Sequence, residues 1–243
     1  MKGTVVKRSD VGEDMRRSMY ELFLTQFEQV SYEQFISDLE EKNWVLLLRR
    51  DDDSLGGFSC MHFYDLTIDG KALTVVYSGD TVVSNDTWGD SALSYYWMGA
   101  IDYLRRLHKK ESVYWFLLVS GYRTYRFLPV YSDYYFPRYD RPTPADVQSV
   151  MHAVARDRFG DRYNPETGIV HLEAPPILRE EYRGIPENRL NDPYIAFFAE
   201  RNPQHEQGDE LVCFAIVSEH KLTRLGRKMW ARGRKLYPEI VES

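Results

Sequence analysis

The sequence is short of most features that announce a chemistry. It holds only two cysteines, Cys60 and Cys213, in 243 residues, too few for a disulfide scaffold or a cysteine-rich metal site. Both sit in apolar stretches and read as buried, inert thiols. The six histidines, His62, His108, His152, His171, His205 and His220, lack the spacing of a metal-ligand set. No run approaches the roughly 18–20 apolar residues of a membrane-crossing helix. Residues 1–8 have no apolar stretch of the signal-peptide type, which leaves the cytoplasm as the default compartment. There is no Gly-x-Ser-x-Gly turn and no paired Cys and His to carry a covalent acyl intermediate. Positive charge is not in excess either: the formal net charge of −6 argues against a nucleic-acid partner.

What is present is ordered. The 18 tyrosines either line a cleft with apolar walls and polar tips or simply fill the core. Cations gather near the end of the chain: Lys221, Arg224, Arg227, Lys228, Arg232, Arg234 and Lys235 follow one another with no acid between. That is a basic terminal helix on an acidic protein, either a solvated face or a surface for an acidic partner.

Residues 4–7 read as an opening strand and residues 15–27 as an amphipathic helix, with Met15, Met19, Leu22, Phe23 and Phe27 at helical spacing. Ser31 followed by Gln34 is a capping-box signature for a second helix ending near Asn43. Strands over 44–50, 58–66 and 72–84, joined by tight turns, predict an antiparallel meander. A polar turn at 85–91 leads into a helix over 92–108, and 112–120 reads as a buried strand. A helix between two such strands implies a crossover and locally parallel pairing. Beyond it, an aromatic stretch is broken by Pro129 and Pro137. A helix over 143–159 has Thr143 as cap and Pro144 in its first turn. Short strand 169–172, irregular 175–191, a helix opened by Asp192, strand 210–217 and the basic helix 221–237 complete the chain. The expected fold is α/β (α+β): a mixed central sheet with an antiparallel meander and flanking helices. It divides into a core over 1–140 and an extension over 141–243 packing on the same sheet, or forms one continuous domain.

This order of elements, over about residues 1–135, resembles the core of the GNAT (N-acetyltransferase-like) acyltransferases. In that family a turn of pattern Gln/Arg-x-x-Gly-x-Gly/Ala opens the helix after the fourth strand; here Asp86-Thr87-Trp88-Gly89-Asp90-Ser91 stands in its place and matches at Gly89. A glycine turn at a helix N-terminus lets phosphate oxygens approach unpaired N–H groups, and Asp86 and Asp90 oppose this by repulsion. The resemblance implies a donor site over Val82, Val83, Trp88, Gly89, Asp90 and Ser91, with acyl-CoA or an acyl-carrier-protein thioester as co-substrate and no metal. It implies direct transfer of the acyl group to a small-molecule amine, with the basic terminal helix available to acyl carrier protein. A non-catalytic GNAT-like ligand-binding or scaffold protein is the alternative.

Amine acylation needs a proton removed from the nucleophile and one delivered to the leaving thiolate. Asp80, an acid amid apolar strand residues, is the candidate general base or amine anchor, unless it marks the solvent face of an edge strand. A bulge at Gly79 would decide whether Asp80 and Tyr77 face the same space. His62 on the neighbouring strand is a second acid–base candidate or a structural histidine. Tyr125 is the candidate proton donor to the thiolate, with Phe127 at the family's usual tyrosine spacing and Ser120 where the family has Asn.

Overall fold

The computed structural model describes residues 1–68, 70–87 and 91–237. Strand β1 (Lys2–Lys7) is followed by helix α1 (Glu13–Phe23), the short strand β2 (Phe27–Glu28) and helix α2 (Tyr32–Glu40). The first helix therefore stops at Phe23, four residues before the apolar spacing does, because Phe27 is drawn into a strand and stacks on Phe23 at 4.4 Å. Ser31 caps α2 by accepting from the Gln34 N–H at 3.1 Å. The reciprocal half of the box is absent, since the Gln34 amide donates instead to the Ala174 carbonyl at 2.8 Å.

The meander follows as β3 (Trp44–Arg49), β4 (Leu55–Ile68) and β5 (Lys71–Val83), the last two closing around Gly70 at φ +75°. Helix α3 (Ala92–Leu107) crosses to β6 (Val113–Val119), which lies parallel to β5 as a strand–helix–strand crossover requires. Two short helices, α4 (Tyr122–Tyr125) and α5 (Phe127–Tyr131), and strand β7 (Tyr135–Phe136) occupy the aromatic stretch. Helix α6 (Ala145–Phe159) starts without the expected Thr143 cap; Pro144 holds the cap position and no side chain bonds to the first turn. Then come β8 (Tyr163–Asn164), β9 (Ile169–Val170), β10 (Ile177–Leu178), α7 (Glu180–Arg183) and α8 (Pro193–Arg201), the last capped by Asp192 on the Tyr194 N–H. Strand β11 (Glu210–Val217) and helix α9 (Arg224–Arg234), capped by Thr223, end the described chain.

One sheet runs β1-β3-β4-β5-β6-β11-β9-β8, with β7 also on β11 and β10 paired separately with β2. Among the described residues only β5 and β6 are parallel neighbours, so the sheet is mixed, with a large antiparallel part. Alternation along the strands separates two faces. Leu46, Leu48, Met61, Val76, Trp115 and Leu117 meet α3 and α9 on one side. On the other, Val45, Leu47, Phe58 and Cys60 meet α1 and α2, while Phe116, Val212 and Phe214 meet α6. The thiols Cys60 and Cys213 are fully buried. Helix α9 rests on α3 through glycine: a Cβ on Gly233 would lie 2.2 Å from the Tyr95 carbonyl oxygen, and one on Gly99 would lie 2.6 Å from that of Gly233. No described helix is long and apolar enough to cross a membrane.

Candidate active site at the parting of two strands

Strands β5 and β6 pair only from Val75 opposite Tyr114 to Ser78 opposite Leu117. At that point β5 bulges against β4: Gly79 faces Cys60 and Val82 faces Phe58, so Asp80 and Thr81 together oppose Ser59. Asp80 takes a φ of +45°, an uncommon conformation for a residue with a side chain. A bulge bends its strand and sharpens the local twist. Here β5 swings away from β6 and a cavity of about 550 Å³ opens between them.

This cleft passes through the sheet. On the α3 face its walls are Trp97, Met98, Trp115 and Leu117; on the α6 face they are Tyr77, Leu118 and Phe159. Polar groups on the α3 side are few and mutually bonded. Tyr131 and Ser94 share a hydroxyl hydrogen bond of 2.7 Å, and the Trp115 indole N–H donates to Ser78 Oγ at 2.7 Å. The edge of β5 at Gly79, Asp80 and Thr81 faces the cleft with no β6 partner alongside, the kind of edge to which an extended amide ligand adds by main-chain hydrogen bonds.

The α6-side mouth is charged. Asp38, Glu41 and Lys42 reach it from the end of α2, Asp80 from β5, Arg158 from α6 and Glu210 from the start of β11. Lys42 is buried, with its side chain only 4% exposed; its ammonium donates to the Asp38 carbonyl at 2.9 Å and lies 4.0 Å from Asp80 Oδ2. That oxygen of Asp80 is buried and has no hydrogen-bond partner. Burial raises the Asp80 pKa against the pull of Lys42. Burial and the charge of Asp80 push Asp38 up to about 6. Burial, with the charges of Asp80 and Asp38, pushes Glu210 up to about 8. Arg158 is held on several sides, with its guanidinium 4.0 Å over the Tyr77 ring, one arm to Glu41 at 2.9 Å and another to His62 Nδ1 at 3.0 Å.

The structure brings some of the predicted residues together and separates others. Asp80 and Val83 line the cleft. Tyr77 and Asp80 both face it, as the bulge allows. Val82 does not: its side chain is buried against the α1–α2 layer. His62 stands behind the site and not in it. A guanidinium can only donate, so His62 Nδ1 accepts from Arg158 and its other nitrogen carries the hydrogen. Burial and the cations Arg158 and Lys42 lower its pKa, and its role is to position Arg158. Tyr125 is removed from the proton-donor role. It is fully buried beside Tyr135 and Phe198, and its hydroxyl donates to the Pro137 carbonyl at 2.9 Å. One helical turn beyond Phe127, Tyr131 reaches the cleft instead. Ser91 is exposed at the start of α3, without a side-chain cap bond. Trp88, Gly89 and Asp90 lie outside the described residues. The repulsion expected from Asp86 is blunted, because Arg50 pairs with it at 2.9 Å.

Lys42, Arg158, Glu210 and Tyr131 were not among the predicted site residues. Glu210 had a readable signal, an acid in register with Val212 and Phe214 on one face of a strand. The others read as helix-end cations and an ordinary aromatic. Among the described residues no group of His, Cys, Asp and Glu is arranged to hold a metal ion.

No family model matches the chain, and no curated protein matches it. Solved structures similar to it include a probable N-acyltransferase from Enterococcus faecalis, 14% identical over 87% of this chain and 64% of that one, with a TM-score of 0.40. A GNAT family N-acetyltransferase from Escherichia coli in complex with CoA is 17% identical over 47% of this chain and 62% of that one, with a TM-score of 0.36. An acetyltransferase from Trypanosoma brucei is 17% identical over 60% of this chain and 98% of that one, with a TM-score of 0.38. The chain thus spans 64% and 62% of the length of the first two. The strand order, the crossover through α3 and the parallel pairing of β5 with β6 give the mixed α/β sheet with an antiparallel meander and flanking helices that the order of elements predicts.

Proposed function

We propose that the protein is an N-acyltransferase that passes an acyl group from a thioester to an amine by direct attack. The observation that carries this reading is the cleft through the sheet, apolar on the α3 side and charged on the α6 side, with Asp80 at the bulge between them. The thioester enters from the α3 side and lies along the β5 edge at Gly79–Thr81. The amine enters from the other mouth as an ammonium and loses a proton to Asp80, whose raised pKa suits it to receive one. The nitrogen attacks the carbonyl carbon and the C–N bond forms; Asp80, having passed the first proton to solvent, takes the second from the bonded nitrogen as the C–S bond breaks. The thiolate leaves on the α3 side, where the Tyr131 hydroxyl supplies its proton and regains one from solvent.

The donor is acyl-CoA or acyl carrier protein. The cations of α9 support either source. Gly226 of α9 lies against the Tyr131 carbonyl, where a Cβ would come within 2.2 Å, so α9 packs on the short helix that carries Tyr131 and leaves Arg224, Arg227 and Lys228 exposed. Phosphates of CoA and the acidic face of a carrier are both attracted to such a surface.

The test is melting temperature with acetyl-CoA, longer acyl-CoAs, free CoA and acylated carrier protein, followed by release of free thiol in the presence of amines. A donor at about 100 times its Kd stabilises the fold by about 2.7 kcal/mol. No shift with any donor would sink the transferase reading. A shift without thiol release from any amine would make the protein a ligand-binding relative of the enzymes.

A further inference from the structure

The α3 side of the cleft is an apolar space that the protein's own side chains leave unfilled. Trp97 and Met98 of α3 and Trp115 and Leu117 of β6 are each no more than 8% exposed, yet all four border it. Packed interiors leave few voids larger than a water molecule, and an apolar void stays dry and takes up apolar ligands. Hydroxyls and an indole at its wall are already engaged: Ser94 and Tyr131 bond to each other, and the Trp115 N–H donates to Ser78 Oγ. The space has a direction. At the start of α3, Leu93 and Ser94 are half-buried, and Phe127, which stacks on Tyr131, is 38% exposed. One turn further on, Trp97 and Met98 are buried. It also has an end, because Ala100, Ile101 and Leu104 are fully buried and do not border the cleft.

We propose that the acyl group transferred is an aliphatic chain of medium length, of the hexanoyl to octanoyl class, held between α3 and the sheet by Trp97, Met98, Trp115 and Leu117. This rests on the acyl-transfer reading and names the class of its donor. With the thioester carbonyl at the β5 edge and the amine arriving from the α6 side, the sulfur and the acyl chain both lie towards α3. The sulfur points to the open start of the helix and the chain points inward. Pantetheine carries two amides, which an apolar wall would strip of water without return. The unpaired edge at Gly79–Thr81 suits those amides, and the inner wall suits methylenes alone. The rise from Leu93 to Met98 is about 7.5 Å, so the space holds a medium chain and ends before a long one is covered. An acetyl group leaves most of the wall without contacts.

Calorimetry without any amine tests the pocket separately from the reaction. Free CoA and acetyl-, butanoyl-, hexanoyl-, octanoyl- and dodecanoyl-CoA are compared, and acetyl- and octanoyl-loaded acyl carrier protein cover the other donor source. Affinity is expected to rise about threefold for each added CH2, making octanoyl-CoA about a hundredfold or more tighter than acetyl-CoA, with no further gain at dodecanoyl. Met98→Trp fills the pocket and is expected to weaken octanoyl-CoA about tenfold or more and free CoA less than about twofold. Met98→Ala lengthens the pocket and moves the tightest binder to a longer chain; it carries the test if circular dichroism shows that Met98→Trp is unfolded. Equal affinity for acetyl and octanoyl donors on both carriers overturns the proposal. Equal weakening of free CoA and octanoyl-CoA by Met98→Trp also overturns it, since pantetheine then fills the space. Thiol release with a panel of amines follows. Chain-length preference with no release from any amine supports the pocket and overturns the transfer reading. Release from acetyl-CoA with no chain-length preference does the reverse, and no binding of either carrier's thioesters overturns both.

Discussion

Asp80 concentrates several features in one side chain: a left-handed backbone, a bulge, a buried oxygen without a donor and a raised pKa. Asp80→Asn keeps the shape and removes the base, so kcat is expected to fall by about 10²–10⁴-fold while donor affinity, read by calorimetry, stays within about twofold. Tyr131→Phe removes the proton for the thiolate and is expected to lower kcat about tenfold or more; Tyr125→Phe, whose hydroxyl is tied to Pro137 away from the cleft, tests the distinction by leaving kcat near the parent value. Glu210 sets a pH dependence of stability. It is faced by Asp38 and Lys42 from α2, by Tyr77 and Asp80 from β5, by Arg158 from α6 and by its neighbour Asp209. The folded protein keeps a proton on Glu210 that the unfolded chain loses between about pH 4.5 and about pH 8. Stability therefore falls as pH rises through that window. Melting curves across it should show Tm declining, with the slope flattened in Glu210→Gln. At this scale the sequence pointed to Asp80 from its polarity amid apolar strand neighbours. It could not separate Tyr125 from Tyr131, because which tyrosine reaches a cleft depends on how two short helices pack.

Elements followed their local signals wherever hydrogen bonding and periodicity are short-range. Ser31, Asp192 and Thr223 cap the helices that they open, and Glu210–Val217 forms a strand over its whole apolar run. The departures have tertiary causes. Helix α1 ends early because Phe27 and Glu28 pair with Leu178 and Ile177, a partner roughly 150 residues away. The cations of the basic helix α9 stay exposed, while its other face buries Gly226, Met229, Trp230 and Gly233 against α5 and α3. Its glycines admit backbone to backbone, and Gly233→Ala would place a Cβ 2.2 Å from the Tyr95 carbonyl oxygen. Overpacking of that kind costs about 1–3 kcal/mol, checked as a lowered midpoint in urea unfolding with an unchanged slope.

Across the whole molecule, the segment from Leu172 to Tyr182 forms part of the cleft wall. Leu172, Pro176, Leu178 and Tyr182 line the cleft. Arg179 Nε donates to the Leu24 carbonyl at 2.8 Å, Arg183 pairs with Glu28, and the Asn85 amide donates to the Tyr182 hydroxyl at 2.6 Å. Replacing Arg179 and Arg183 together by Ala loosens this wall. The expected result is an amine KM raised about tenfold with kcat within about twofold, the pattern of lost uniform binding, measured by steady-state thiol release. By itself the sequence determined the longer helices and strands, the meander and the crossover, hence a mixed sheet and a basic terminal helix, because periodicity, caps and turns act over a few residues. Only the tertiary structure decided that β5 bulges and leaves β6, and that Asp38, Lys42, Asp80, Arg158 and Glu210 meet at the opening. Their meeting depends on strand register and on a sheet assembled from both halves of the chain, and neither is written in the spacing of neighbouring residues.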